Sequence, residues 1–196
     1  MGLSLHYNGK FDPAASLTEM IDEVEDVAKI YNWKYHIFET EFPANSIGSI
    51  EHNQSVYGIC YIPPQCEPIY LCFLSNGRMS SPDSLQFWDK YLGGPEENYL
   101  YLLSTKTQYA GYHIHMIIVR LFQYLGKKYF IELNVIDEGK YWETGDETIL
   151  KETFKKYNEM LDNFSTLLEN LPLSSNETAE DYINRLLLYI SNKRGQ

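Results

Sequence analysis

The sequence predicts an α+β protein, a mostly antiparallel sheet of about five to six strands covered by helices, with two C-terminal helices. Three observations carry this. Strand-like segments in the first half follow one another without intervening helices, which short antiparallel connections allow. Apolar stripes at helical spacing recur along the chain. The 196 residues are 44% hydrophobic and 15% aromatic, enough to bury a core and incompatible with a disordered polymer.

Leu3–Tyr7 alternates and reads as a short strand. Ser16-Leu-Thr-Glu19 is a capping box, and Leu17, Ile21, Val24, Ala28 and Tyr31 then form the buried face of a helix running to Asn32. Its other face carries Glu19, Asp22, Glu23, Glu25 and Asp26. Lys34–Phe42 is a second strand. Ser55–Ile62 and Ile69–Ser75 form a hairpin closed by PPQCEP, because proline cannot donate to a ladder. Ser81-Pro82 starts a short helix with Leu85, Trp88 and Tyr91 on one face. Tyr99–Tyr109 and Phe130–Asp137 are strands. Between them Ile114, Ile117, Ile118, Leu121, Phe122 and Leu125 mark a central helix closed by Gly126. Thr144-Gly-Asp-Glu147 is a second capping box, opening a helix that carries Phe154, Tyr157, Leu161, Phe164 and Leu168 up to Pro172. Asn176 caps a last helix with Ala179, Ile183, Leu186, Leu187 and Ile190 facing inward. The reading is one domain over 1–196, in which the helix over 177–192 can stand as an appendage.

The net charge is −11, distributed unevenly. Residues 1–60 hold 3 Lys against 9 acidic residues, 61–136 hold 6 of each sign, and 137–196 hold 7 against 12. Such a chain repels phosphate backbones and anionic lipid, so neither nucleic acid nor membrane is an expected partner. A basic protein is. The 17 Tyr supply amphipathic rings for such a contact. No segment approaches the ~20 apolar residues a membrane span needs. MGLSLHYNGKF lacks an apolar run behind a basic start, so a cytoplasmic location is expected. Cys60, Cys66 and Cys72 are too widely spaced for a zinc knuckle and read as packed, reduced thiols.

Three stretches could carry chemistry. In Ser104–His115 (STKTQYAGYHIH) strand alternation puts Leu100, Leu102 and Lys106 on one face, so a strand runs from the core into a polar end. The candidate binding residues there are Lys106, Gln108, Tyr109 and His113. His113 and His115 would chelate from a strand, but a helical backbone turns them about 200° apart, which removes the metal reading. In Asp137–Asp146 (DEGKYWETGD) the candidates are Glu138, Tyr141, Trp142 and Glu143, on a strand-to-helix junction. Glu39 and Glu41 share a strand face and could hold a hard cation. With Lys106 and Glu138 they would form the carboxylate-plus-lysine site of a small metal-dependent hydrolase or phosphodiesterase. No dinucleotide, P-loop, G-x-S-x-G or HExxH signature is present, and no cofactor is called for.

The pairing of TKTQYAG (Thr105–Gly111) with DEGKYWETGD resembles a family of uncharacterised bacterial proteins, over most of the chain from Leu3 to about Pro172. The resemblance implies no activity and no catalytic residues. The functional expectation is a non-enzymatic, acidic interaction protein, of the inhibitor or immunity kind, with the metal-dependent hydrolase as the alternative.

Overall fold

Strand β1 (Ser4–Phe11) is the middle strand of a three-stranded sheet. In the computed structural model, residues 2–91, 100–172, 174 and 177–194 are described, with side chains for all of these except 88–91 and 190–194. By contact the chain divides into two compact units, Met1–Phe154 and Lys155–Gln196.

The first unit is α+β. Its further strands are β2 (Lys34–Ile37), β3 (Tyr57–Ile62), β4 (Ile69–Phe73), β5 (Leu103–Lys106) and β6 (Phe130–Asp137). They form two three-stranded antiparallel sheets, ordered β5-β1-β6 and β2-β3-β4, where one larger sheet was expected. The division has a local cause. β5 covers only Ser4–Tyr7 of β1. Beyond that the same edge of β1 is taken by single residues, with Phe11 N donating to Gly77 O (2.8 Å) and Met79 N to Gly9 O (2.9 Å). Met79 also bridges Phe73 at the end of β4, so the sheets are linked by isolated bridges instead of a continuous ladder.

β1 buries Leu5, Tyr7, Gly9 and Phe11 and turns His6, Asn8 and Lys10 outward, the alternation of a half-buried strand. The buried side packs on α3 (Gly111–Tyr129), where Phe122 meets Tyr7 edge-on at 4.9 Å. At its far end Phe11 gathers Phe42, Phe73 and Phe130 at 5.1–6.3 Å. Past Ile37 the chain stays bonded to the neighbouring segment for two more residues, Phe38 N donating to Gly58 O (2.9 Å) and Glu39 N to Val56 O (3.2 Å). It then turns away, Thr40 O accepting from the Thr18 hydroxyl (3.2 Å) and Phe42 entering the cluster.

Helix α1 (Leu17–Ile30) packs on β2 and β3. Ser16 caps it by accepting from Glu19 N, as expected, and Asn32 ends it in the left-handed conformation (φ 54°). α2 (Pro82–Tyr91) buries Leu85; the Trp88 and Tyr91 side chains lie outside the described residues. α3 starts after a short 3-10 turn, Gln108–Ala110, at Gly111, whose φ of 82° lets the chain pivot from strand to helix. Gly126 does not end α3; the helix continues to Tyr129 and Gly126 lies against Leu133 of β6. α4 (Tyr141–Thr144) precedes α5 (Glu147–Asn170), whose cap is Asp146 and not the expected Thr144: Asp146 Oδ1 accepts from Thr148 N at 2.7 Å.

Helix α5 passes into the second unit, which also contains α6 (Ala179–Arg194). The expected inward stripes are not buried here. Phe164, Ile183 and Leu187 are all more than half exposed, and among the described residues of the unit only Leu186 is buried. Thr178 accepts from Asp181 N at the start of α6; Asn176 lies outside the described residues. No helix among the described residues is long and apolar enough to cross a membrane.

Candidate functional site

Thr107 and Asp137, one from each sequence-selected stretch, meet across β1, which lies between β5 and β6. They do so through buried polar groups. His115 is fully buried, its Nδ1 2.7 Å from Thr107 Oγ1 and its Nε2 2.9 Å from Asp137 Oδ1. The second contact is close but lacks the alignment of a hydrogen bond. Asp137 Oδ1 also accepts from Gly139 N (2.6 Å), and Oδ2 from Tyr141 N (2.8 Å) and Trp142 N (2.9 Å). Burial alone would push the Asp137 carboxyl up; His115 and the amides of Trp142 and Gly139 outweigh it and hold the group below the usual range.

The first residues of the chain close the junction. Gln108 Oε1 accepts from Leu3 N (3.2 Å), Thr107 N donates to Leu3 O (2.9 Å), and Glu138 Oε2 accepts from Ser4 N (2.7 Å). The β3–β4 turn covers the outer edge of β5, where Lys106 N donates to Glu67 Oε2 (2.8 Å) and Thr105 Oγ1 to Pro68 O (3.0 Å).

The face assignment on β5 therefore inverts. Leu103, Thr105 and Thr107 face the core, while Leu102 is half-exposed and Ser104 exposed on the side of Lys106. Hydroxyls can occupy the core side because each has a partner there. Of the selected residues, Gln108 and Tyr141 are buried and Lys106 and Trp142 partly so. Tyr109, His113, Glu138 and Glu143 are exposed. Tyr141 is held by Arg120, whose Nε donates to its hydroxyl at 3.0 Å. His113 turns out to solvent beside Tyr112 while His115 turns in, as helical geometry requires. Glu39 and Glu41 are not brought to this end. Glu39 pairs with Tyr57, and Phe42 beside Glu41 packs on Phe11, at the opposite end of β1 from Lys106 and Glu138. Among the described residues no three His, Cys, Asp or Glu side chains gather as a metal site.

Thr107, His115 and Asp137 have a hydroxyl–imidazole–carboxylate order, but the hydroxyl has no path to a substrate because all three are buried. The unit is a polar core that fixes β1 between β5 and β6. His115 and Asp137 could not be paired from the sequence because the 21 positions between them carry no spacing signal; only the topology joins them.

The surface feature that stands out is α1. Glu19, Asp22 and Asp26 follow one another along one exposed stripe and make no ion pair with the described residues. The two neighbouring carboxylates are held from within the protein. Lys29 and the Tyr35 hydroxyl take Glu25, and Lys128 and the Tyr124 hydroxyl take Glu23. Both carboxyls lie below the usual range: Glu25 through Tyr35 and then Lys29, Glu23 because Lys128 and Tyr124 outweigh its partial burial. The stripe runs on to Ile30 (78% exposed), with Tyr31 (47%) and Tyr35 (37%) beside it. Compared with family models, curated proteins and solved structures, the chain finds no match.

Proposed function

We propose that the chain is a non-enzymatic, cytoplasmic binding protein that engages a basic protein surface through the acidic stripe of α1 and the tyrosines at its end. The observation that carries this reading is the pattern on α1, three solvent-facing carboxylates without a counter-ion among the described residues, next to exposed Ile30, Tyr31 and Tyr35. Charge at the rim with aromatic rings beside it is the composition of a contact surface. The burial of Thr107, His115 and Asp137 supports the non-enzymatic part. The three free cysteines fit a reducing compartment. The stretches that carry the resemblance are those that stitch β1 into place, so we read that likeness as one of architecture.

The test compares the wild type with Glu19→Gln/Asp22→Asn/Asp26→Asn as immobilised bait in lysate of the source cells. The wild type should retain a basic protein at low ionic strength and release it at about 0.5 M salt, where screening acts within a few ångströms. The triple variant should bind it about ten-fold less well. Equal capture by both proteins, or capture indifferent to salt, would refute the reading.

A further inference from the structure

The strand beside α1 presents an open sheet edge. β2 pairs with β3 on one side and with no described residue on the other. Phe38 N donates to Gly58 O of β3, while Trp33 N bonds Ala28 O near the end of α1. Backbone direction alternates along an antiparallel strand, so Lys34 and His36 point to β3, as Phe38 does, and Tyr35 and Ile37 point outward. The N–H and C=O groups of Tyr35 and Ile37 have no partner among the described residues.

α1 gives this edge a charged flank. Thr18, Asp22, Glu25 and Lys29 share one stripe of the helix, at steps of four, three and four residues. The Thr18 hydroxyl donates to Thr40 O, and Glu25 Oε1 accepts from the Tyr35 hydroxyl (2.7 Å). The stripe therefore runs alongside 35–40, with Asp22 between the two contacts. The bond to Glu25 puts the Tyr35 side chain on the α1 side of the sheet, and alternation puts Ile37 there too. Glu25 is taken by Tyr35 and Lys29, whereas Asp22 and the neighbouring Asp26 are exposed and make no ion pair with the described residues.

We propose that an extended basic segment of the partner adds to β2 as a fourth strand of the β2-β3-β4 sheet. The inference rests on the reading of α1 as the contact surface and states the form the partner takes there. A residue that exchanges hydrogen bonds with Tyr35 or Ile37 turns its side chain to the same face, toward α1. Lysine or arginine at every second position then brings cations to Asp22 and Asp26 while the backbone completes the ladder. A basic helix would meet the carboxylates but leave the edge unpaired. An acidic strand would pair the edge but be repelled by Asp22.

The test titrates the full chain with a blocked peptide of alternating lysine and threonine, following amide shifts and hydrogen exchange at Tyr35 and Ile37. Saturable shifts and slower exchange at both amides are expected. Methylating the lysine amides removes the donors that face β2 without changing the charge, and should weaken binding at least about ten-fold. Methylating the threonine amides, which point away, should change it less than about two-fold. Asp22→Asn/Asp26→Asn should weaken the parent peptide about three- to ten-fold, and glutamate in place of lysine should abolish saturation. No saturation by the parent peptide would overturn the proposal. Equal weakening by the two methylations, or no slowing of exchange at saturation, would overturn the strand addition; a loss in the aspartate variant would then still leave the α1 surface standing. Unchanged binding to the aspartate variant would overturn the choice of a basic segment.

Discussion

Asp137→Asn is the substitution to which the fold should be most sensitive for its size. The carboxylate accepts three backbone amides and contacts His115, all out of solvent. Asparagine keeps the shape but turns one oxygen into a donor. If that donor replaces Oδ2, it confronts the amides of Tyr141 and Trp142; if it replaces Oδ1, it confronts Gly139 N. In either orientation at least one backbone amide loses its acceptor, at about 1–3 kcal/mol each, and the loss of the carboxylate charge beside His115 brings the total to roughly 2–4 kcal/mol. For a unit of this size that lowers Tm by roughly 5–15 °C. The pH dependence follows from the direction of the shift. A carboxyl held below its unfolded value stabilises the fold fully above that value, about 3.9, and loses the contribution as pH falls through the folded value. The Tm gap between wild type and Asp137→Asn should therefore be widest near neutrality and close below about pH 4. Thermal melts followed by near-UV circular dichroism from pH 7 down to 2.5 measure both effects. A double-mutant cycle with His115→Gln should return a coupling of about 1–3 kcal/mol. A Tm loss under about 2 °C at pH 7, or a gap that does not change with pH, would refute the reasoning.

Two further outcomes follow from the packing. Gly58 has φ +117°, and a Cβ there would stand 2.3 Å from Leu71 O, so Gly58→Ala should cost at least ~3 kcal/mol or abolish soluble expression. Gly48→Ala, at φ +84° with nothing within 4 Å, should cost only ~1–2 kcal/mol, and equal losses in the two variants' melts would contradict the steric account. Burial pushes the Cys60 thiol up to about 11 and Cys66 up to about 12, and Cys72 well above the ordinary value. At pH 8 an aromatic disulfide reagent should therefore label the native protein at least about a hundred-fold more slowly than the unfolded chain. Fast native labelling would mean these thiols are not packed as described.

The parts of the fold legible in the sequence are those whose signal is local. β6 ends where its pattern ends, Ser16 caps α1 through an oxygen three residues from its donor, and the helical step separates His113 from His115. What was not legible depends on contacts between segments. The division into two sheets follows from Phe11, Gly77 and Met79 taking over one edge of β1, which no alternation pattern encodes. The inversion on β5 has a similar origin. Leu102 and Lys106 suggested a core face by hydropathy, but Thr105 and Thr107 face inward because Pro68 O, Tyr7 and His115 satisfy their hydroxyls there.

The α1 stripe was readable because a helix repeats its outward face every few residues, and five acidic side chains on that face show in the sequence directly. What the structure adds is which of them are already spent: Glu23 and Glu25 are tied to Lys128 and Lys29, which leaves Glu19, Asp22 and Asp26 to meet a partner. Raising salt should release a basic partner from α1 by screening exposed charges. Neutralising Asp22 and Asp26 should weaken that binding, whereas neutralising Glu23 and Glu25, already held by Lys128 and Lys29, should change it less.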